Sequence, residues 1–378
     1  MKQIIDSTLE ALASGGNLRV IPDDACASER VDLSSNDYLG IAAADSLRDE
    51  FFASADGAAL LMSASASRLL GRSQRSYEAF EHTLSEAYGG RSALLFNSGY
   101  HANTGIVSAF AGTNAHIIAD KLVHASIIDG IKLSGLPFDR FRHNDIGHLD
   151  RLAAKAVAQG RIPLIIAESV FSMDGDRADI RALVEVKKRY PGSMLYIDEA
   201  HAVGVEGPAG LGLTATLPSP ADADIVVGTL GKALASAGAF AITAPEVRSF
   251  LVNRARSLIF STALPPITAE WSRFIFLKAM GMDSCRAHLK ALGHALHQEL
   301  STVGSTVSDS HIQPLLIGSP DGAVAMSGRL REHGFDVLPI RTPTVPPGTD
   351  RLRFSLSAAL DIDTIRRLGI ALRTIYGK

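Results

Sequence analysis

The chain is poor in cysteine, in excess basic charge and in long apolar runs, and each shortage removes a class of protein. Only two of its 378 residues are cysteine. Cys26 and Cys285 lie far apart without CxxC spacing, which argues against a disulfide framework or a structural zinc site and fits a reducing cytoplasm. Lys and Arg number 37 against 40 Asp and Glu, a formal net charge of -3. That balance offers no footprint for nucleic acid or acidic lipid, so neither is expected as a partner. No segment reaches the roughly 18 consecutive apolar residues of a membrane span. The opening MKQIIDSTLEALASGGN carries acidic residues within its first ten positions and no unbroken apolar run, which reads against a signal peptide. A GxxxxGK[ST] phosphate loop is missing as well. The nearest string, GTLGKA, has the wrong spacing, follows the DEAH box it would have to precede, and lacks the Ser or Thr for magnesium, so a nucleoside triphosphatase is rejected.

Hydrophobic residues make up 46% of the chain, ample for a large core divided between two domains. IIDSTLEALAS predicts a short amphipathic helix ended by Gly15 and Gly16, and residues 1–35 read as an N-terminal helix and arm. Beyond Asn36 the short apolar runs SALLFNSG, NAHIIAD, PLIIAESV, SMLYIDEAH, ADIVVGTLG and AGAFAIT alternate with helical patterns such as SYEAFEHTLSEAYGG. This predicts an α/β fold, a mostly parallel central sheet with helices on both faces, over a large domain of residues 36–275. One long helical pattern over 271–302 leads into a smaller α+β C-terminal domain, residues 276–378. Its strand candidates are HIQPLLIG, GFDVLPI and RLRFSLS, and IDTIRRLGIALRTIY is its closing helix.

Open parallel sheets bind ligands at the carboxyl ends of their strands. Polar residues that follow apolar runs are therefore candidates: Ser98 and Gly99, Glu168 and Ser172, Asp198 and His201, Thr229 and Lys232. Lys232, in GTLGKALASAGAF, is the one ionisable side chain between Asp224 and Glu246. Apolar surroundings disfavour an ammonium and leave a neutral, nucleophilic amine. An aspartate at a neighbouring strand end could keep a pyridine nitrogen protonated, and a lysine with such a carboxylate is what pyridoxal phosphate requires. The competing reading is a lysine whose stem lies along the protein with its head in water, against which stand the surrounding glycines, which permit close approach of a ligand. NSGYHAN sets Ser98 and Gly99 at a strand-to-helix turn suited to a phosphate, to which Thr229 could add a hydroxyl. His124 in KLVHASIIDG is either a satisfied core histidine or a flat ring stacked on a cofactor. No metal is expected: Asp198, Glu199 and His201 are too close in sequence, on a strand whose neighbours face opposite ways, to share one readily.

LSSNDYLG (33–40), FNSGYHAN (96–103), FRHNDIGHL (141–149), ESVFSMDGD (168–176), DEAHAVGVEGPAGLG (198–212), GTLGKALASAG (228–238) and TVPPGTDRLRFSLSA (344–358) occur in this order. Together they resemble the α-oxoamine synthases, pyridoxal-phosphate enzymes of the fold-type I aminotransferase class, over nearly the whole chain. The resemblance implies that Lys232 carries the cofactor, that Asp198 pairs with its ring nitrogen, and that His124 stacks on the ring. His201 and Ser172 would lie near the ring hydroxyl. The turn at Ser98, the N–H groups of Gly99 and Tyr100 and the Thr229 hydroxyl would hold the phosphate. Arg353 would clamp the amino-acid carboxylate, and Arg19, Asn36 and Thr344 match positions associated with substrate. A homodimer with shared active sites is implied, Thr262 reaching a phosphate across its interface.

The implied reaction condenses an amino acid with an acyl thioester and releases carbon dioxide. LSSNDYLG and the overall length are most similar to members that join L-alanine to a pimeloyl thioester in biotin synthesis. Three alternatives remain at this stage: a member using glycine and acetyl-CoA, a lyase or aldolase of the same fold, and a metal-dependent hydrolase built on DEAH and HNDIGH. Ala235 and Ala239 stand where the family commonly has glycine, a departure that bears on the substrate.

Overall fold

The computed structural model of the chain describes residues 1–19, 21, 30–54, 61–71, 74–304 and 306–377. Cys26 lies outside them. Two compact units divide it: Leu39–Phe171 with Arg177–Arg286, and Met1–Tyr38 with Ser172–Asp176 and Ala287–Lys378.

The larger unit is built on seven strands, β1 (Ser92–Phe96), β2 (Ala115–Asp120), β3 (Phe138–Phe141), β4 (Ile162–Glu168), β5 (Met194–Asp198), β6 (Ile225–Thr229) and β7 (Ala239–Thr243). Their order is β1-β7-β6-β5-β4-β2-β3. Strand β7 runs antiparallel to both its neighbours, and the remaining pairs are parallel. Every residue of β2, β6 and β7 is buried, which is why these strands read as unbroken apolar runs: helices cover both faces. Ile106 and Val107 of helix Gly99–Ala109 and Ile127 and Ile131 of helix Ala125–Ser134 pack in one core with Ile117, Ile166 and Val227. Each such side chain contributes roughly 1.5–3 kcal/mol by leaving water.

Strand β3 is absent from the expected set. Its sequence, FDRF, holds two charges and is mostly uncovered, the character of a short edge strand that pairs on one side only. The helical pattern over 271–302 is in fact two helices, Pro266–Met280 and Asp283–Ser301. Gly281 caps the first, and the buried Arg286 guanidinium donates from Nη1 to Ala279 O (2.6 Å) and from Nη2 to Met280 O (2.9 Å). Ala279 O also accepts from the Met282 N–H (3.0 Å), so a closing backbone turn and the arginine together stabilise a break that periodicity alone does not register.

In the smaller unit β8 (Ile312–Leu316), β9 (Leu338–Ile340) and β10 (Arg351–Ser355) form an antiparallel sheet in the order β9-β10-β8. GFDVLPI is split: Phe335–Asp336 pairs in parallel with Val31–Asp32, and only its second half joins β10. The N-terminal helix spans Lys2–Ser14 and buries none of its residues.

Nine residues, 230–238, connect β6 to β7, and Thr229 pairs directly with Ala239. A parallel return needs a dozen or more, so this length dictates the antiparallel direction. Lys232 therefore sits in a hairpin loop clamped at its base. Gly228, within that base, is a glycine for packing reasons: a Cβ there would enter the Phe240 ring, which is fully buried. Gly228→Ala should destabilise the protein by about 2 kcal/mol or more, because strand β7 has no room to yield. Urea unfolding checks this, and an unchanged midpoint would contradict it.

Candidate active site

The carboxyl ends of β1, β2, β4, β5 and β6 lie along one edge of the large sheet, as their parallel directions require. Asp198 ends β5 and is paired in register with Glu168 of β4 on one side and Val227 of β6 on the other. The Asp198 carboxylate is 3% exposed. It accepts from Asn103 Nδ2 at Oδ2 (2.7 Å) and from the Ala200 N–H at Oδ1 (2.9 Å). Both of these donors are neutral. A buried anion supported by neutral donors alone is costly unless a cation completes it. A protonated pyridine nitrogen has the charge and the N–H to do so, and in this respect the residues fit pyridoxal phosphate.

Lys232 Nζ lies 2.7 Å from His201 Nε2. The loop bearing it is held by Leu230 N–H to Gly238 O, Ser236 N–H to Leu230 O and Ala235 N–H to Lys232 O, each 2.9 Å. Leu230, Ala233 and Leu234 are buried beneath it. Ala235 adopts φ +43°, a left-handed conformation natural to glycine, and its carbonyl accepts from Trp271 Nε1 (3.2 Å). This explains why glycine suits position 235. Ala239 is an ordinary buried strand residue of β7 and carries no such demand. Ala235 instead lines a cavity of about 440 Å³ with Ile41, Phe51, Phe52 and Trp271.

The residues expected to hold a phosphate lie at the start of helix Gly99–Ala109. Ser98 is its N-cap, accepting from the His101 N–H (3.2 Å), and the N–H groups of Gly99 and Tyr100 belong to the first turn, outside the helical ladder. Thr229 Oγ1 faces Gly99, where a Cβ would lie 3.5 Å from it, and the Gly231 N–H points at the same oxygen (3.4 Å). The Tyr100 hydroxyl donates to Asp129 Oδ2 (2.6 Å). Thr262 is exposed in a neighbouring loop, its carbonyl accepting from Asn97 Nδ2.

His124 is the N-cap of helix Ala125–Ser134, its Nδ1 accepting from the Ser126 N–H (3.2 Å). Its own N–H donates to Glu168 Oε1 (2.5 Å). Burial holds the His124 imidazole below its ordinary pKa, with the Lys232 charge acting in the same sense and the Asp198 and Asp129 carboxylates opposing. Burial, reinforced by the Asp198 charge, pushes the Glu168 carboxyl well above the usual carboxylate range.

The remaining expected residues belong to the smaller unit. Arg353 is buried and donates from Nε to Ser172 O (2.6 Å), and from Nη2 to Asn36 Oδ1 (3.2 Å) and Tyr38 OH (3.5 Å). Arg19 Nη2 donates to Thr344 Oγ1 (3.1 Å), both residues being exposed. Ser172, Asn36 and Arg353 are thus brought together, as are Arg19 and Thr344.

A family profile described as aminotransferase class I and II matches residues 28–372. The chain belongs to the aminotransferase class I and II family. The 8-amino-7-oxononanoate synthase of Chlorobaculum parvum (strain DSM 263 / NCIMB 8327) is 45% identical over 353 residues, 92% of this chain and 90% of that protein. A solved structure described as SPT with PLP is similar at a TM-score of 0.85 and 28% identity, covering 99% of this chain and 97% of that one. The 8-amino-7-oxononanoate synthase of Francisella tularensis is similar at a TM-score of 0.77 and 27% identity, covering 93% and 98%. The architecture of this aminotransferase-family chain is the fold-type I arrangement, a mostly parallel sheet flanked by helices with a small antiparallel sheet in the C-terminal part.

Within this family member the HNDIGH residues are tied to the end of β2 and to the start of the following helix. Asp120 holds His143 Nδ1 (2.9 Å) and the Asn144 N–H (2.9 Å), Asp145 caps helix Ile146–Ala158, and His148 Nδ1 accepts from the Arg142 N–H (3.0 Å). Glu199 turns away from Asp198 to accept from Ser169 Oγ and the N–H groups of Leu213 and Thr214. Among the described residues no three His, Cys, Asp or Glu side chains are grouped to hold a metal. Asn103, Ser126, Tyr196 and Tyr38 bond to the expected site residues or to one another, and the sequence reading did not select them. For Asn103 a signal existed: it follows Gly99 by four residues, one turn along the same helix face.

Glu168 yields a pH-dependence. Its carboxyl keeps a proton in the folded state that the unfolded chain releases near its ordinary value of 4.5, so folding stability falls as pH rises above that value. The cofactor-free protein should therefore lose stability relative to Glu168→Gln as pH rises, with a slope approaching about 1.4 kcal/mol per pH unit until the folded-state value is passed. Urea unfolding of both proteins from about pH 5 to about pH 8 reads the difference; a gap independent of pH would contradict the assignment.

Proposed function

We propose that this chain catalyses the pyridoxal-phosphate-dependent, decarboxylating condensation of L-alanine with a pimeloyl thioester, giving 8-amino-7-oxononanoate, carbon dioxide and the free thiol, in biotin synthesis. The carrying observation is the buried Asp198 carboxylate one strand away from the Lys232 amine at a single sheet edge. The name of the Chlorobaculum parvum relative supports the same choice of reaction. Pyridoxal phosphate, when bound, supplies an aldehyde that takes up an amine and a protonated ring that accepts the electron pair left when Cα loses a proton.

Lys232 is the amine that would take up the aldehyde and, when free, would remove the Cα proton. His201, 2.7 Å from Nζ, passes a proton to and from that amine. Asp198 keeps the ring nitrogen protonated. The first-turn N–H groups of Gly99 and Tyr100, capped by Ser98, and the Thr229 hydroxyl hold the phosphate dianion. His124 would offer its ring face to the cofactor. In the smaller unit Arg353 orients the substrate carboxylate with its planar fork, and Asn36, whose Oδ1 is taken by Arg353 and the Tyr38 hydroxyl, keeps its amide N–H groups for the same anion. Ser172, whose carbonyl fixes that arginine, serves the ring hydroxyl, and Arg19 and Thr344 meet the acyl substrate.

This reading takes residues 36–275 as the cofactor-binding domain, 276–378 as the smaller domain and 1–35 as an arm. It also takes a second copy of the chain as the partner that completes the site through Thr262, and the cytoplasm as the location. No described helix is long and apolar enough to cross a membrane.

The test is thiol release from pimeloyl-CoA. It should depend on L-alanine, and Lys232→Ala should lower it by about 10⁴-fold or more while leaving the fold intact. Turnover with glycine and acetyl-CoA in place of these substrates would move the assignment within the family. Thiol release independent of any amino acid would overturn it.

A further inference from the structure

Behind Asp198 and His124 lies a set of buried polar groups that the proposed reaction does not use. Asn103 Nδ2 donates to Asp198 Oδ2 (2.7 Å) and also to Ser126 Oγ (2.9 Å). Ser126 Oγ lies 2.7 Å from His124 Nδ1. On its other side Asn103 Oδ1 is met by the Tyr196 hydroxyl. Asn103 is 3% exposed, and Ser126 and Tyr196 are fully buried.

The direction of every bond in this chain follows from its charged end. A carboxylate only accepts, so the Asn103 nitrogen must face Asp198 and its oxygen must face Tyr196, which therefore donates. The second Asn103 N–H then occupies a lone pair of Ser126 Oγ. The serine proton is left to the partner that remains, His124 Nδ1. That nitrogen also takes the Ser126 backbone N–H at 3.2 Å, so it carries a lone pair, and the imidazole proton resides on Nε2.

We propose that Asn103 and Ser126 are positioning residues that transmit the charge of Asp198 to His124, fixing the carboxylate in orientation and the imidazole as its neutral Nε2–H tautomer. The two groups assigned to the cofactor ring, one at its nitrogen and one across its face, are thereby a single unit. Burial of the imidazole acts in the same direction, since it disfavours the doubly protonated ring, and Glu168 on the His124 backbone adds no competing donor to Nδ1. This inference rests on the proposed assignment of Asp198 and His124 to the cofactor, but its readout does not involve a substrate.

The experiment is ¹⁵N NMR of the histidine ring nitrogens in the holoenzyme, with wild type compared to Ser126→Ala, Asn103→Ala and Tyr196→Phe. In the wild type His124 should show an unprotonated, hydrogen-bonded Nδ1 and a protonated Nε2 at neutral pH. Ser126→Ala should move the Nδ1 resonance by loss of its shorter hydrogen bond. Tyr196→Phe removes one hydroxyl that bonds neither His124 nor Asp198, yet should shift the same nitrogens, an effect that a local packing change would not produce. Asn103→Ala should in addition raise the concentration of pyridoxal phosphate needed for half-saturation by roughly tenfold or more, as expected for losing a buried hydrogen bond to a charged group. A proton on Nδ1 in the wild type, or His124 nitrogens unmoved by both Asn103→Ala and Tyr196→Phe, would overturn the proposal. If Asn103→Ala does not fold, Tyr196→Phe decides between the same two results. A failure of the acyl-transfer reading would appear in alanine-dependent thiol release and leave these resonances unaltered.

Discussion

A carboxylate buried at the end of a central strand and held by two neutral donors is the constraint around which the rest of the site is arranged. An isolated anion in that setting would take up a proton or be expelled. Asp198 is retained because Asn103 and the Ala200 N–H support it, and because a cationic ring nitrogen can complete it. The same charge has consequences one strand away, where it raises the Glu168 carboxyl beyond what burial alone would do, so that two adjacent carboxyls are not both anionic. It also raises the Tyr196 hydroxyl, already pushed up by burial, and keeps that group a donor towards Asn103.

The amine is delivered to this anion by chain length and packing. The nine residues that join β6 to β7 are too few for a crossover, so the chain folds back beside itself, and the Phe240 ring over Gly228 fastens the base of the loop. Three buried apolar side chains, Leu230, Ala233 and Leu234, pin the loop to the protein while Lys232 projects from between them towards His201. Lys232 is thus placed by a hairpin held at its base, and its position relative to Asp198 is set by the parallel pairing of β5 and β6.

Much of this was legible before any coordinates. Strands buried on both faces wrote themselves as unbroken apolar runs, and the polar residues that follow them did collect at one sheet edge, as Asp198, Lys232, Ser98 and Thr229 show. The failures have physical causes. FDRF escaped because an edge strand needs no apolar face, and the break at Gly281 escaped because the side chain that braces its last carbonyls comes from Arg286, in the next helix. Of the glycines around Lys232, Gly228 is required by the Phe240 ring and Gly238 by a φ of +111° beside the Phe96 carbonyl, demands that only packing reveals, whereas Gly231 has no contact closer than 3.5 Å at its Cβ position. Asn103 and Ser126 were missed because a hydrogen-bond chain joins residues from three separate elements, and only their juxtaposition gives each one a partner.

The central claim is that Lys232 carries the cofactor opposite Asp198. Borohydride reduction of the purified protein with pyridoxal phosphate, followed by peptide mass analysis, tests it most directly. The account predicts loss of the visible colour and a pyridoxyl adduct confined to the peptide that contains Lys232. An adduct on another lysine, or a protein that takes up no label, would contradict it.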